Sequence, residues 1–175
     1  IASFENNHMP LLERVAKTGK PVIVSCGTAS LPELAESVGV LKSSGAEEIV
    51  LLKCTSAYPS VPKNANIRTI PHMRELFGVE VGVSDHSPGI GVAIAAVAQG
   101  AVLVEKHFTL DRSEGGPDSS FSLEPSELTA LVCEVKRGWE SLGGIEYGVS
   151  AEEQPSLVFR RSIYAIADIS AGEKL

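Results

Sequence analysis

The segment VEVGVSDHSPGIGVAIAAVAQGAVLVEKH, residues 79–107, contains two short β-branched runs with an alanine-rich apolar segment between them. Short β-branched runs at residues 79–84 and 102–106 are typical of buried strands, and the alanine-rich segment between them predicts a helix. A strand, a helix and a second strand in this order form a βαβ unit, in which the two strands are parallel. The segment therefore predicts an α/β fold with a parallel sheet.

The same alternation extends outward from this unit. Similar apolar runs occur at residues 21–26 and 48–54, and each precedes a helical pattern. A long helix is predicted at about residues 124–142, and residues 1–5 are interpreted as the end of a further strand. The sequence thus predicts five strands, each followed by a helix.

Five such units over residues 1–142 match the spacing of a (β/α)8 TIM barrel, which needs roughly 250 residues to close. We therefore expect the C-terminal five units of a barrel. The chain starts at Ile1 without an initiator methionine, which suggests a piece of a longer polypeptide. An open doubly wound sheet is the alternative, but it usually has a glycine-rich loop after its first strand, where this sequence reads Ser-Phe-Glu-Asn-Asn.

The predicted barrel part ends at residue 142. Residues 143–158, with paired glycines, several acidic residues and a proline, are typical of a linker. Residues 159–175, with an Ile-Tyr-Ala-Ile-Ala strand, are expected to start a second, truncated domain.

Composition excludes several classes of function. The 43% hydrophobic content indicates a globular chain, and the net charge of −7 without a basic run argues against nucleic acid or anionic membrane as a partner. The longest apolar stretch, residues 89–104, contains Gln99 and is shorter than the about 20 residues of a membrane span, and no signal peptide is recognised. Three widely spaced cysteines predict free thiols in a reducing, cytoplasmic setting.

Polar residues collect where the predicted strands end. In a parallel barrel, chemistry occurs at the carboxyl ends of the strands. These strand ends carry Ser3 and Glu5, then Ser25, then Thr55, Ser56 and Tyr58, then Ser84, Asp85 and His86, then Glu105, Lys106 and His107.

Two histidines suggest a metal site. A single histidine after a strand is more often a satisfied loop residue, but His86 and His107 end consecutive strands, which lie about 4.8 Å apart. Both imidazoles can then reach one divalent ion at about 2.1 Å, and manganese or magnesium would suit the site as well as zinc. His8 and His72 lie in helical patterns and are predicted at the surface. The hydroxyls of residues 53–59 could hold a phosphate or only satisfy a turn.

Six motifs in order resemble the sialic acid (nonulosonic acid) synthase family. They are Ile-Ala-Ser-Phe-Glu, Lys-Pro-Val-Ile-Val-Ser-Cys-Gly, Cys-Thr-Ser-Ala-Tyr-Pro, Gly-Val-Ser-Asp-His, Glu-Lys-His-Phe-Thr-Leu and Gly-Pro-Asp. Within the family, Ser-Phe-Glu at residues 3–5 and Pro-Asp-Ser-Ser-Phe-Ser-Leu-Glu-Pro at residues 117–125 resemble the pseudaminic acid synthase branch.

The resemblance implies a barrel followed by a small antifreeze-like (SAF) domain, which in this family covers the active site of the partner subunit in a homodimer. It implies condensation of phosphoenolpyruvate with the amino-sugar aldehyde 2,4-diacetamido-2,4,6-trideoxy-altrose to give pseudaminic acid and phosphate. The alternatives are N-acetylneuraminate or legionaminate synthesis and, outside enzymes, a carbohydrate-binding or scaffolding module.

The resemblance also implies roles for residues. His86 and His107 would hold Mn²⁺ or Mg²⁺, and Glu105 would lie near the metal-bound water. Phosphoenolpyruvate would be bound by the hydroxyls of Ser3, Ser25, Ser56 and Ser84, with Tyr58 lining the pocket that it shares with the sugar. Asp118 would contact the sugar, and Phe121 would either face its terminal methyl or only anchor the loop. The family's phosphate-binding lysine directly precedes the position of Ile1, and Lys106 is left without a role.

Overall fold

A computed structural model describes residues 1–174 and gives four parallel strands in the order β1-β2-β3-β4. The elements in chain order are α1 (Met9–Ala16), β1 (Val22–Ser25), α2 (Leu31–Ser43), β2 (Ile49–Cys54), α3 (Thr69–Phe77), β3 (Glu80–Asp85), α4 (Gly91–Ala98), β4 (Val104–Lys106) and α5 (Pro125–Glu140). Each strand is followed by a helix, so the chain forms a parallel α/β half-barrel of four βα units. The consecutive order lacks the reversal of a doubly wound sheet, which removes that alternative.

One face of the sheet is buried against the helices. Val24, Leu51 and Val83 point from three strands into a core that also contains Leu41 of α2 and Ile70 of α3. Because side chains alternate along a strand, the residues between them face the other side. The helix-facing side therefore holds the core, and the opposite side is left for polar groups at the strand ends.

The predicted strand at residues 1–5 is not formed. Only Ile1 pairs with β1, donating from its amino group to Ile23 O and accepting from Ser25 N. Ser3–Glu5 then form a 3-10 turn, closed by a hydrogen bond from Glu5 N to Ala2 O. A single paired residue is not a strand, so the structure shows four βα units and does not confirm the fifth.

The chain divides into compact units at Ile1–Gly143 and Gly144–Leu175. In the second unit, Gln154–Phe159 form a 3-10 helix, and Ile163 and Ile166 are fully exposed without a strand partner among the described residues. The Ile-Tyr-Ala-Ile-Ala strand is therefore absent here, since no neighbouring strand covers it. The linker and SAF assignments stay predictions, and Leu175 lies outside the described residues. Over residues 1–174, no helix combines the length and the apolar character needed to cross a membrane.

Candidate active site

Three serine hydroxyls converge beside Gly27, just beyond β1. Ser3 Oγ donates to Ser25 Oγ at 3.0 Å and accepts from Gly27 N at 3.0 Å. A Cβ atom at Gly27 would lie 2.0 Å from Ser56 Oγ and 2.7 Å from Ser3 Oγ, so Ser56 reaches the same point from the segment after β2. Several hydroxyl donors at one point form a small cradle suited to an oxyanion. We call Ser3, Ser25, Gly27 and Ser56 the serine cradle.

Asn6 supports the backbone of the serine cradle, a role that the sequence did not predict. Its side chain is buried, and its Nδ2 donates to Ser25 O at 3.3 Å and to Gly27 O at 3.4 Å. The Asn6 carbonyl in turn accepts from Ser37 Oγ at 2.6 Å. The only sequence signal is an asparagine in the loop after Ser-Phe-Glu, which is also what an ordinary turn would contain.

The Cys54 thiol connects the serine cradle to the histidines. Its Sγ lies 3.7 Å from Ser56 Oγ and 3.8 Å from His86 Nδ1. Burial alone raises the pKa of this thiol, but hydrogen bonds, first from His86 and then from the serines, outweigh burial and lower the pKa to about 6. By contrast, burial raises the pKa of Cys26 to about 12. Donor groups around Cys54 thus favour negative charge at this end of the sheet.

The two predicted metal ligands lie side by side. The rings of His86 and His107 have centroids 5.1 Å apart, and His86 is buried. His86 Nδ1 lies 3.0 Å from Thr55 O, and because a carbonyl only accepts, the neutral ring carries its proton on Nδ1 and keeps the Nε2 lone pair for a ligand. The pKa of His86 is raised, chiefly by its hydrogen bond with Cys54.

Asp118 contacts His107 directly. Its Oδ2 lies 3.6 Å from His107 Nδ1. This separation is longer than a hydrogen bond, so the carboxylate faces the imidazole nitrogen without a bond that fixes the ring. The sequence assigned Asp118 to the sugar, whereas the structure places it first beside a histidine.

Aromatic rings border the histidines. The Tyr58 ring packs against His86 at a tilt of 42° with centroids 4.3 Å apart, and the centroid of Phe121 lies 5.1 Å from that of His107. Phe121 is only 4% exposed, whereas Tyr58 is 46% exposed. This burial is what an anchor of the loop after β4 requires, and a contact between Phe121 and the sugar methyl stays a prediction.

Ser84 and Glu105 form a third pair of predicted site residues. They are register partners across β3 and β4, and Ser84 Oγ donates to Glu105 Oε1 at 2.7 Å. The Glu105 side chain is exposed, so its other oxygen remains open to solvent or ligand. Ser84 therefore serves a carboxylate in this structure rather than the serine cradle.

The spacing of the imidazoles fits a shared ion. Rings that bind one ion at about 2.1 Å have centres roughly 3.2 Å from it, so at an angle near 100° the centres are about 5 Å apart. The observed 5.1 Å is compatible with that value and also with edge-to-face packing of the two rings, whose planes lie 67° apart. Among residues 1–174, no three histidine, cysteine, aspartate or glutamate side chains converge as a metal-ligand set, so the assignment of His86 and His107 to a metal stays a prediction.

Consecutive parallel strands with hydroxyls and imidazoles at their carboxyl ends define a segment of the (β/α)-barrel class. The chain belongs to the NeuB family, whose sequence profile matches residues 1–147. This confirms the family resemblance seen in the motifs.

Several proteins that resemble the chain are named as synthases of related sugars. It is 42% identical to the pseudaminic acid synthase of Campylobacter jejuni, matching 99% of this chain and 50% of that protein. It is 39% identical to the N,N'-diacetyllegionaminic acid synthase of the same species, over 99% of this chain and 53% of that protein. The crystal structure of N-acetylneuraminic acid (sialic acid) synthetase from Leptospira borgpetersenii, in complex with citrate, superposes with a TM-score of 0.81 at 38% identity, covering 91% of this chain and 56% of that one. The chain spans about half the length of the curated relatives cited here.

Proposed function

We propose that this chain is the phosphoenolpyruvate- and metal-binding half of a nonulosonic acid synthase, an enzyme that joins phosphoenolpyruvate to an amino-sugar aldehyde and releases phosphate. The observation that supports it most is the convergence of the serine cradle and the His86–His107 pair at one end of the sheet, connected through Cys54. A phosphate site beside a metal site is what this reaction requires.

The serine cradle would bind phosphoenolpyruvate. Hydroxyl groups of Ser3, Ser25 and Ser56 donate hydrogen bonds to phosphate or carboxylate oxygens, and Gly27 lets the ligand approach the backbone. Ser84 would add a donor once its bond to Glu105 is exchanged. Binding here would orient C3 of phosphoenolpyruvate toward the histidines, and fixed orientation is a large part of the rate gain in a bimolecular reaction.

The aldehyde would be bound next to the histidines. His86 and His107 would hold Mn²⁺ or Mg²⁺, which when bound polarises the sugar carbonyl for attack by C3. Tyr58, with its exposed ring beside His86, would line the pocket between the two substrates. Asp118, whose carboxylate lies beside His107, would accept hydrogen bonds from the sugar.

Glu105 would handle the proton of the attacking water. After C–C bond formation, water adds at C2 of the former phosphoenolpyruvate and phosphate leaves with C–O cleavage, a trait of the family. The Glu105 carboxylate, held through one oxygen by Ser84, can accept the water proton on the other.

For the sugar we propose 2,4-diacetamido-2,4,6-trideoxy-altrose, with pseudaminic acid as the product. The motifs at residues 3–5 and 117–125 and the relative at 42% identity support this choice. N-acetylneuraminate and legionaminate synthesis are the alternatives, and the legionaminic relative at 39% identity is nearly as similar.

For the whole protein we propose a homodimer in which an SAF domain beginning near residue 159 covers the site of the partner subunit. We place the enzyme in the cytoplasm, since all three cysteines are free thiols.

The proposal is tested with the full-length protein, phosphoenolpyruvate, Mn²⁺ and each candidate sugar. We expect phosphate release and a new nine-carbon acid by NMR, fastest with the diacetamido sugar. With ¹⁸O in the bridging position of phosphoenolpyruvate, the label should appear in phosphate. No phosphate release with any of these sugars would overturn the function, and turnover of N-acetylmannosamine as efficient as that of the diacetamido sugar would overturn only the choice of sugar.

A further inference from the structure

A buried ion pair joins the ends of β3 and β4 directly behind the histidines. Lys106 Nζ lies 2.9 Å from Asp85 Oδ2, and the two side chains are only 3% and 2% exposed. Asp85 and Lys106 are register partners in the parallel ladder. Each is followed in the chain by one of the paired histidines, His86 and His107. The ion pair is therefore one residue away from both predicted metal ligands.

The hydrogen bonds of this pair are satisfied within the loop after β3. Asp85 Oδ1 accepts from Ser87 N at 2.8 Å and from Ser87 Oγ at 2.6 Å. Lys106 Nζ also donates to Ser87 O. Ser87 is fully buried, so the pair fixes the backbone on both sides of His86 as well as the start of the loop.

Alternation along the strands separates this ion pair from the site. Side chains of successive residues point to opposite faces of a sheet, so three cross-strand pairs follow one another at the ends of β3 and β4. Ser84–Glu105 and His86–His107 share the site face, and Asp85–Lys106 lies between them on the helix-facing side. The ion pair thus connects β3 and β4 at the residues that directly precede the two histidines.

Stability does not explain a buried ion pair well. The cost of removing both charges from water is large, and apolar residues of similar volume often serve the fold equally well. What the ion pair adds is geometry, because two charged groups with four defined hydrogen bonds allow little variation in the distance between the strand ends.

We infer that Asp85 and Lys106 are positioning residues that set the separation of His86 and His107 for metal binding. The inference rests on the proposed function. It gives Lys106, which the sequence left without a role, a task on the far side of the sheet from the substrates.

The test requires a variant that removes the ion pair without leaving a charge buried. Lys106→Met alone would strand the Asp85 carboxylate and could unfold the protein. The double variant Asp85→Asn with Lys106→Met keeps the volume of both side chains and removes both charges, and the new amide oxygen can still accept from Ser87. Circular dichroism and thermal melting check that the full-length variant is folded.

Arg74→Met is a matched control. Arg74 of α3 donates to Glu80 Oε2 at 3.1 Å and to Gly100 O, so it connects the second βα unit to the third. It does so where β3 begins, at the end of the strand away from the histidines. Both variants therefore lose a cation that bridges neighbouring βα units, but only the double variant loses it next to the histidines.

The readout is the Kd of Mn²⁺, measured by electron paramagnetic resonance without substrates, together with KM and kcat. We expect the double variant to bind Mn²⁺ roughly ten- to a hundredfold more weakly, as for other residues that orient metal ligands, with KM for phosphoenolpyruvate nearly unchanged. Arg74→Met should keep the Kd of the unmutated protein. A folded double variant with an unchanged Kd would overturn the inference alone, and an unmutated protein that binds no Mn²⁺ would overturn the metal proposal with it.

Discussion

The serine cradle makes Gly27 the most informative position for a substitution. In Gly27→Ala the new Cβ would lie 2.0 Å from Ser56 Oγ and 2.7 Å from Ser3 Oγ, where ordinary contacts begin near 3.4 Å. Both hydroxyls must therefore move by roughly an ångström, and a misplacement of about 1 Å can cost about 100-fold in rate. That loss corresponds to about 2.7 kcal/mol of transition-state stabilisation.

The expected cost to the fold is smaller than the cost to function. The Gly27 backbone does not lie in the left-handed region, so alanine meets no backbone strain, and serine hydroxyls can rotate out of its way. Overpacking of this kind costs typically about 1–3 kcal/mol. We therefore expect a folded variant whose kcat/KM for phosphoenolpyruvate falls about 100-fold, measured by phosphate release with saturating sugar.

Gly39→Ala is the matched control. Gly39 lies within α2, and a Cβ there would meet nothing within 4 Å. Alanine should raise the free energy of unfolding by about 0.5–1 kcal/mol and leave the kinetics unchanged. If Gly27→Ala kept kcat/KM within a few-fold of the unmutated value, the serine cradle would not be the phosphoenolpyruvate site.

Three further predictions concern the remaining site residues. His86→Ala and His107→Ala in the full-length protein should each abolish stoichiometric Mn²⁺ binding and activity, and undiminished activity in either would contradict the metal assignment. In metal-free protein, Cys54 should titrate with a pKa of about 6, since hydrogen bonds led by that of His86 outweigh its burial. This lowered pKa stabilises the folded protein at high pH, and the stabilisation declines as the pH falls from the ordinary thiol pKa of 9.0 through about 6. The ultraviolet absorbance of the thiolate measures the titration midpoint, and Cys54→Ser provides the blank. A midpoint near 9.0 would refute the prediction. Phe121→Ala with Ser119→His should reduce the preference for the 6-deoxy sugar over N-acetylmannosamine at least several-fold in competition assays, and an unchanged ratio would leave Phe121 as a loop anchor only.

The sheet was predictable because its strands carry a strong local signal. The runs predicted at residues 48–54 and 79–84 correspond to β2 at Ile49–Cys54 and β3 at Glu80–Asp85. The further strand predicted to end at residues 1–5 is not confirmed, because strand pairing is a tertiary property. Ala2 to Glu5 are as compatible with a turn, and the bond from Gly27 to Ser3 holds that turn in place.

The site was predictable in its residue types and less so in its contacts. The rule that polar groups gather at the carboxyl ends of parallel strands identified Ser25 and His86. It could not show that Asn6 supports the serine cradle or that the Cys54 thiol lies between the cradle and a histidine. These contacts depend on side-chain directions that only the folded chain fixes. Nothing in the local pattern indicated that Lys106 pairs with Asp85, since the partners are 21 residues apart.

The alternation at the ends of β3 and β4 limits how this segment can evolve. In Ser-Asp-His and Glu-Lys-His the middle residue faces the helices and the outer two face the site, so the order of residues fixes which group does which task. Deletion of the first residue of either tripeptide would turn its histidine toward the helices. It would also place the charged side chain of Asp85 or Lys106 on the site face without its partner. A substitution at one position therefore keeps the other side chains on their faces of the sheet. Insertions and deletions are tolerated only in the loops, such as residues 115–120. Among descendants of this gene, we expect these two tripeptides to vary in identity before they vary in length.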